Sequence, residues 1–224
     1  MANVNPLADA LADVRRAYRL LAAYQKRIID YTQSIANHLQ FEYYHADPRF
    51  DLPNKNNPYG RWAWDYLPLS RWDFLFLKHQ EANLYPNLDV NSFPLEGDML
   101  LAIVHEPDSG LVAALNGVEP NPAGFTPAQD CQSRLGLWLF INRVNLIHQT
   151  NWYYSIYKSA ARPQRGQVGH HAKPQAANPQ VANWQVDSYY EEFNLADLPD
   201  VGALLAAVNG FAANAGRELG VQLP

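Results

Sequence analysis

The sequence predicts an α+β domain: an antiparallel meander sheet of five to seven strands, with a long N-terminal helix and a C-terminal helix packed on one face. Leu7, Ala10, Val14, Ala17, Leu21, Tyr24, Ile28, Tyr31, Ile35 and His38 recur at alternating steps of three and four, which places one apolar seam along a single helix. Such a helix is about 50 Å long and needs cover along its length from a sheet, a second helix or another subunit. The middle of the chain is aromatic and strand-like. Its short, turn-rich connections favour an antiparallel meander over crossover units. After residue 197 the helical period returns.

The first helix opens with Asn5 as N-cap, Pro6 at its first position and Asp9 in the first turn, where the helix dipole favours a carboxylate. Its polar face carries Arg15, Arg16, Arg19, Lys26 and Arg27, a basic stretch in an acidic protein. Phe41–His45 reads as a short strand, and 46–60 as a loop dense in Pro, Asn, Asp and Gly. Arg61–Pro68 alternates, with Trp62, Trp64 and Tyr66 on one face. Arg71–His79 and Asp98–Glu106 are strands that are apolar on both faces at their centres, and Pro107–Gly110 is a turn into Leu111–Leu115.

Leu135–Val144 and Trp152–Tyr157 read as an antiparallel pair, and Trp184–Phe193 as the last strand. Residues 159–183, rich in Gln, Pro, Ala, Asn and Gly, are expected to be a mobile loop within a single domain spanning 1–224. Asp197 is the expected cap of the second helix, Val201, Leu204, Leu205, Val208, Phe211, Ala212, Ala215 and Leu219 its apolar face, and Gly220 its end. Ala10, Ala17 and Ala22 on the first helix and Gly202, Ala206 and Gly210 on the second are small. They predict a close contact between the two helices.

At 224 residues the chain can bury a substantial core, and 48% hydrophobic against 17% charged residues excludes disorder throughout. A net charge of -5 argues against general nucleic-acid binding. Cys131 is the one cysteine, which excludes an internal disulfide and fits a reducing compartment. The first residues lack the basic and apolar regions of a secretory signal, and no apolar run approaches the length of a membrane span. A soluble cytoplasmic protein is expected.

No glycine-rich phosphate loop, dinucleotide fingerprint, paired-cysteine site or His-Glu metalloprotease helix occurs, so neither a cofactor nor a metal is expected. Cys131 follows Asp130 rather than a basic group, and nothing activates it. Asp73, His79, Asp98 and His105 lie on neighbouring strands and would have to converge to make a metal-dependent hydrolase or nuclease. His79 and Glu81 share a strand face, His105 and Glu106 do not, and Asp98 and Glu106 lie roughly 26 Å apart on an extended strand. His170 and His171, with His148 and His45, read as incidental exposed imidazoles.

The aromatic residues are more suggestive. Adjacent tyrosines on a strand cannot both point inward, so Tyr43–Tyr44, Tyr153–Tyr154 and Tyr189–Tyr190 each predict one outward ring. Tyr153 and Tyr189 are the expected outward members. The leading expectation is therefore a non-enzymatic interaction protein, accessory or immunity-like in character. It would bind another protein through an aromatic sheet surface (Tyr153, Tyr189, Trp62, Trp64) or through the basic long helix (Arg15, Arg19), a homodimer through that helix included. The alternatives are a small-ligand-binding protein with an aromatic pocket near Trp62, Trp64 and Trp138, and a hydrolase built on Asp73, Asp98, His79 and His105.

Overall fold

The apolar seam becomes one uninterrupted helix, α1 (Pro6–Leu39), in a computed structural model that describes residues 6–48, 72–79, 94–113, 119, 121–144, 151–172 and 185–224. No Gly or Pro follows Pro6 within it, and Ala and Leu supply high helix propensity. Gln40, in the left-handed region at φ 59°, ends the helix, and the Phe41 N–H returns to the Ala36 carbonyl at 2.8 Å.

The chain then enters the sheet: β1 (Glu42–Pro48), β2 (Trp72–Lys78), β3 (Met99–Glu106), β4 (Arg134–Asn142), β5 (Gln167–Ala172) and β6 (Gln185–Asn194). The strand order is β1-β2-β3-β4-β6-β5, and every neighbouring pair is antiparallel. The fold is α+β, as the sequence predicts, with six strands among the described residues. A one-turn helix, α2 (Ser109–Ala113), begins inside the segment read as the turn before Leu111.

Alternation along the central strands sorts side chains into two cores. Met99, Leu101 and Ile103 of β3 and Leu135, Leu137, Leu139 and Ile141 of β4 face the helices. Leu100, Ala102, Trp138 and Phe140 face the other way, and both sets are buried. The helix-side core is closed by Tyr31, Ile35 and Leu39 of α1 and by Leu204, Val208, Phe211, Ala215 and Leu219 of α3 (Val201–Leu219). Each Val, Leu, Ile or Phe among them contributes roughly 1.5–3 kcal/mol on full burial.

Asp200, not the expected Asp197, caps α3, its carboxylate accepting from the Ala203 N–H at 2.9 Å. Asp197 instead ends a separate 3-10 turn (Leu195–Asp197) capped by Asn194. Gly220 terminates α3 in the left-handed region at φ 64°, the conformation glycine adopts without strain.

The helices do meet, although not through the small residues. Ala10, Ala17, Ala22, Gly202, Ala206 and Gly210 are all exposed. α1 is held by its C-terminal half, where the Tyr31 hydroxyl donates to the Leu198 carbonyl at 2.8 Å and His38 bonds Asn209 at 2.6 Å. The N-terminal alanines run past the point where α3 begins to cover the helix.

Two further expectations are corrected. Trp152–Tyr157 is not a strand beside β4 but a single π-helical turn over the second core. Trp152, Tyr153, Ile156 and Tyr157 are all buried. A strand would bury only alternate residues, whereas a helical turn puts positions i, i+1, i+4 and i+5 on one side. The 159–183 segment includes the edge strand β5 at 167–172. An edge strand with partly wet faces needs no apolar alternation, so its sequence resembles a loop. Residues 173–183 and Arg61–Pro68 lie outside the described residues. Among the described residues no helix is long and apolar enough to cross a membrane.

Ile35 lies in the helix-side core with no exposed surface, so Ile35→Ala should cost about 2–5 kcal/mol by denaturant titration. Val201→Ala, at an exposed position of α3, should stay within about 0.5 kcal/mol. Equal effects at the two positions would contradict this assignment of the core.

Candidate functional site: the projecting half of α1 and a buried carboxylate cluster

From Ile28 onward the apolar seam of α1 is buried against the body, and before Tyr24 it is not. Leu11 is 47% exposed, Val14 49%, Tyr18 61% and Leu21 37%. Val14 and Leu21 lie on the side of the helix that carries Ile28, Ile35 and Leu39 in the core, and Leu11 and Tyr18, three residues before each, widen it on one flank. One continuous stripe is therefore half interior and half surface. Arg15 and Arg19 are also exposed on this stretch, Arg15 lying four residues from Leu11 and three from Tyr18, at the edge of the stripe. Arg16 pairs with Asp13 at 2.7 Å on the far side.

Where α1 leaves the body, the Tyr24 hydroxyl bonds His105 Nε2 at 2.8 Å. His105 is fully buried, and desolvation pushes its pKa down to about 4, so the imidazole is neutral near pH 7. Burial raises the Tyr24 pKa, against an interaction with the Ser133 side chain that lowers it.

The four candidate catalytic residues do not converge. His79 Nδ1 bonds the buried Asp98 at 3.0 Å, at the end of the β2–β3 pair where Lys78 opposes Met99. Asp73 and His105 lie at the other end, and on opposite faces. Asp73 accepts a hydrogen bond from Tyr157 on the π-turn side, and His105 meets Tyr24 on the α1 side. Sheet thickness separates the two groups. Among the described residues no group of three His, Cys, Asp or Glu side chains is placed to hold a metal.

Asp73 has a different neighbour, which the sequence did not reveal. The register of β1 on β2 sets Asp47 directly opposite it, and both carboxylates are buried. Directly opposed residues place their Cα atoms about 5 Å apart. The π-helical turn lies over this pair. Lys158 reaches Asp47 at 2.6 Å, Tyr153 bonds both Asp47 and Lys158, and Tyr157 bonds Asp73. Asn151 holds the turn in place, its side chain accepting from the Tyr153 and Tyr154 N–H groups at 2.8 and 3.0 Å. Lys158 is raised in pKa, first by its bond to Asp47, and Tyr153 is raised, first by burial. Chemically the cluster is a clamp between the sheet edge and the turn, with one ammonium, Lys158, set against the carboxylate of Asp47 and a phenol, Tyr157, against that of Asp73. Asp47, Tyr157 and Lys158 carry no spacing signal, because only strand register and the π-turn join them.

The expected aromatic recognition surface is corrected as well. Tyr153 and Tyr189 are buried, in the second and the helix-side core respectively, and Tyr190 is buried in the second. The two rings of the Tyr189–Tyr190 pair do take opposite faces, yet both faces are covered. In the other two pairs the outward rings are Tyr43, at 67% exposure, and Tyr154, at 73%. Trp138 is a core residue rather than a pocket wall, and Trp62 and Trp64 lie outside the described residues. A separate groove of about 330 Å³ runs between α1 and the β1–β2 edge, lined by Ile29, Ala36, Phe41, Tyr43, Phe74 and Phe76 among others.

The PM0109 family profile matches residues 4–220. The chain belongs to the PM0109 family. The uncharacterized protein PM0109 of Pasteurella multocida (strain Pm70) is 28% identical over 220 residues, covering 96% of this chain and 97% of that protein. No solved structure matches the chain. The family match takes in α1, the six described strands and α3.

Two measurements check this geometry. His105 titrates near 6.5 when unfolded and near 4 when folded, so between those values the unfolded state binds more protons. Stability should fall as the pH drops from about 6.5 to about 4, by about 3 kcal/mol in all, with no contribution above pH 7. Chemical denaturation of His105→Gln across that range should show a shallower acid limb than the wild type. For the clamp, a double-mutant cycle of Asp73→Asn and Tyr157→Phe should give a coupling of about 1.5–3 kcal/mol, that of a buried bond to a charged group. Additive losses would mean that the two side chains do not support each other.

Proposed function

We propose that the protein acts by binding another protein chain, and that the docking surface is the projecting half of α1. The observation that carries this reading is the stripe of Leu11, Val14, Tyr18 and Leu21, exposed on a helix whose continuation is a core element. Exposed apolar side chains in a row favour a partner that removes them from water. The body supplies what a docking helix needs, a rigid base at Tyr24–His105 and at Arg27, which bonds the Leu198 carbonyl at 3.0 Å. Arg15 and Arg19 keep their charges in water beside the stripe. The recognition mode is an amphipathic helix laid against an apolar surface, read out by residues at steps of three and four.

Photocrosslinking in the native host tests the reading. A photoreactive side chain at Val14 or Tyr18 should yield a discrete covalent adduct. The same group at Arg16, on the opposite side of the helix, should not. Absence of adducts from the stripe, or equal adducts from Arg16, would remove the stripe as the docking surface.

A further inference from the structure

We infer that the occupant of the stripe is a second copy of this chain, its α1 lying antiparallel to the first and centred between residues 15 and 16. The inference rests on the docking role proposed above and adds the identity and direction of the partner.

Direction follows from where the stripe is already covered. The side of α1 that carries Val14 and Leu21 also carries Ile28, Ile35 and Leu39, which pack under the sheet and α3 of the same chain. A parallel partner helix would have to run its own residues 28–39 into that occupied space. An antiparallel partner ends where the body begins. Its body then lies beyond the N-terminal end of the first helix, clear of the first body.

Register follows from side-chain size. With the crossing centred between residues 15 and 16, Val14 lies opposite Ala17 of the second copy, and Ala10 lies opposite Leu21 of the second copy. Leu11 and Tyr18 of the second copy meet beside these layers. Large thus faces small along the contact, which lets the two helices approach to the 8–10 Å or so of well-packed pairs. Moving the centre by one heptad toward the N-terminus sets Leu21 opposite residue 3, which precedes the helix. Moving it the other way sets Ala10 against Ile28, which the body covers. The exposed alanines that α3 leaves unused at positions 10 and 17 therefore acquire a role.

The contact is isologous, so it closes as a dimer and cannot propagate. It removes roughly 1,000 Å² over the two copies, at the lower edge of specific interfaces, which implies a dimer that dissociates on dilution. Asp13, Arg16 and Arg19 stay on the outer flanks and keep the pair soluble.

Sedimentation equilibrium of the full chain across a wide concentration range tests this. A reversible monomer–dimer equilibrium is expected. Val14→Asp should weaken it at least about thirtyfold with an unchanged far-ultraviolet circular dichroism spectrum, and Arg16→Ala should leave it unaltered. Direction is tested in a Cys131→Ser background with Ala10→Cys and Leu21→Cys chains. Mixed and oxidised, they should form a disulfide-linked heterodimer. Neither alone should crosslink, because like positions then lie about 16 Å apart along the axis. Crosslinking of each variant alone, or a monomer at every concentration, overturns the inference. A monomer that still gives a Val14 adduct to another protein overturns the second-copy inference and leaves the docking role intact. A dimer indifferent to Val14→Asp, with no Val14 adduct in the host, ends both.

Discussion

Strands β3 and β4 are buried on both faces, and this two-sided burial sets the rest of the architecture. Many antiparallel sheets keep one face wet. Here Trp138 and Phe140 point away from the helices, and side chains of that size and apolarity need cover of their own. The helix-side core is closed by α3 and the end of α1, and the opposite core by Trp152, Ile156 and Tyr157 of the π-helical turn. Close fitting shows at Gly136, where a Cβ would lie 2.6 Å from the Tyr190 hydroxyl oxygen, so the ring occupies the space that a side chain on β4 would take. The Tyr190 hydroxyl then donates to Glu192 at 2.9 Å, and Glu192 pairs with Arg134 at 3.2 Å, which keeps the polar tip satisfied at the end of the sheet.

Most polar groups inside such a body are partnered, and their partners mark where each covering element is fastened. Asp47 and Asp73 fasten the π-helical turn through Lys158, Tyr153 and Tyr157. Asn142 bonds the Leu95 carbonyl at 2.9 Å and the Val144 carbonyl at 2.6 Å, tying the start of β3 to the end of β4. His105 and Tyr24 fasten α1 at the point where it departs. Beyond that point the helix carries the same apolar stripe with no comparable burial. A rigid base thus carries an amphipathic helix whose N-terminal part stays exposed.

Much of this was legible in the residues. The extent of α1, the positions of β2, β3, β4 and β6, the α3 face and the Gly220 stop all follow from local periodicity, propensity and capping chemistry, which act over a few residues. β5 was not legible, because an edge strand with no fully buried face carries no alternation. The π-helical turn was missed because WYYSIY is rich in β-formers, and a short apolar run does not distinguish a strand from a buried helical turn.

The sequence alone determined that α1 has an apolar side along its whole length, because that is a property of spacing. Only the tertiary structure decided that the C-terminal part of that side is core and the N-terminal part is surface, since cover depends on where α3 and the sheet end. It likewise decided that Tyr153 and Tyr189 are interior, because the outer face of the sheet has its own covering layer. Asp47 met Asp73, and Asp73 parted from Asp98 and His105, through strand register and the two-faced geometry of a sheet. Both join or separate residues far apart in the chain, and no local pattern encodes such distances.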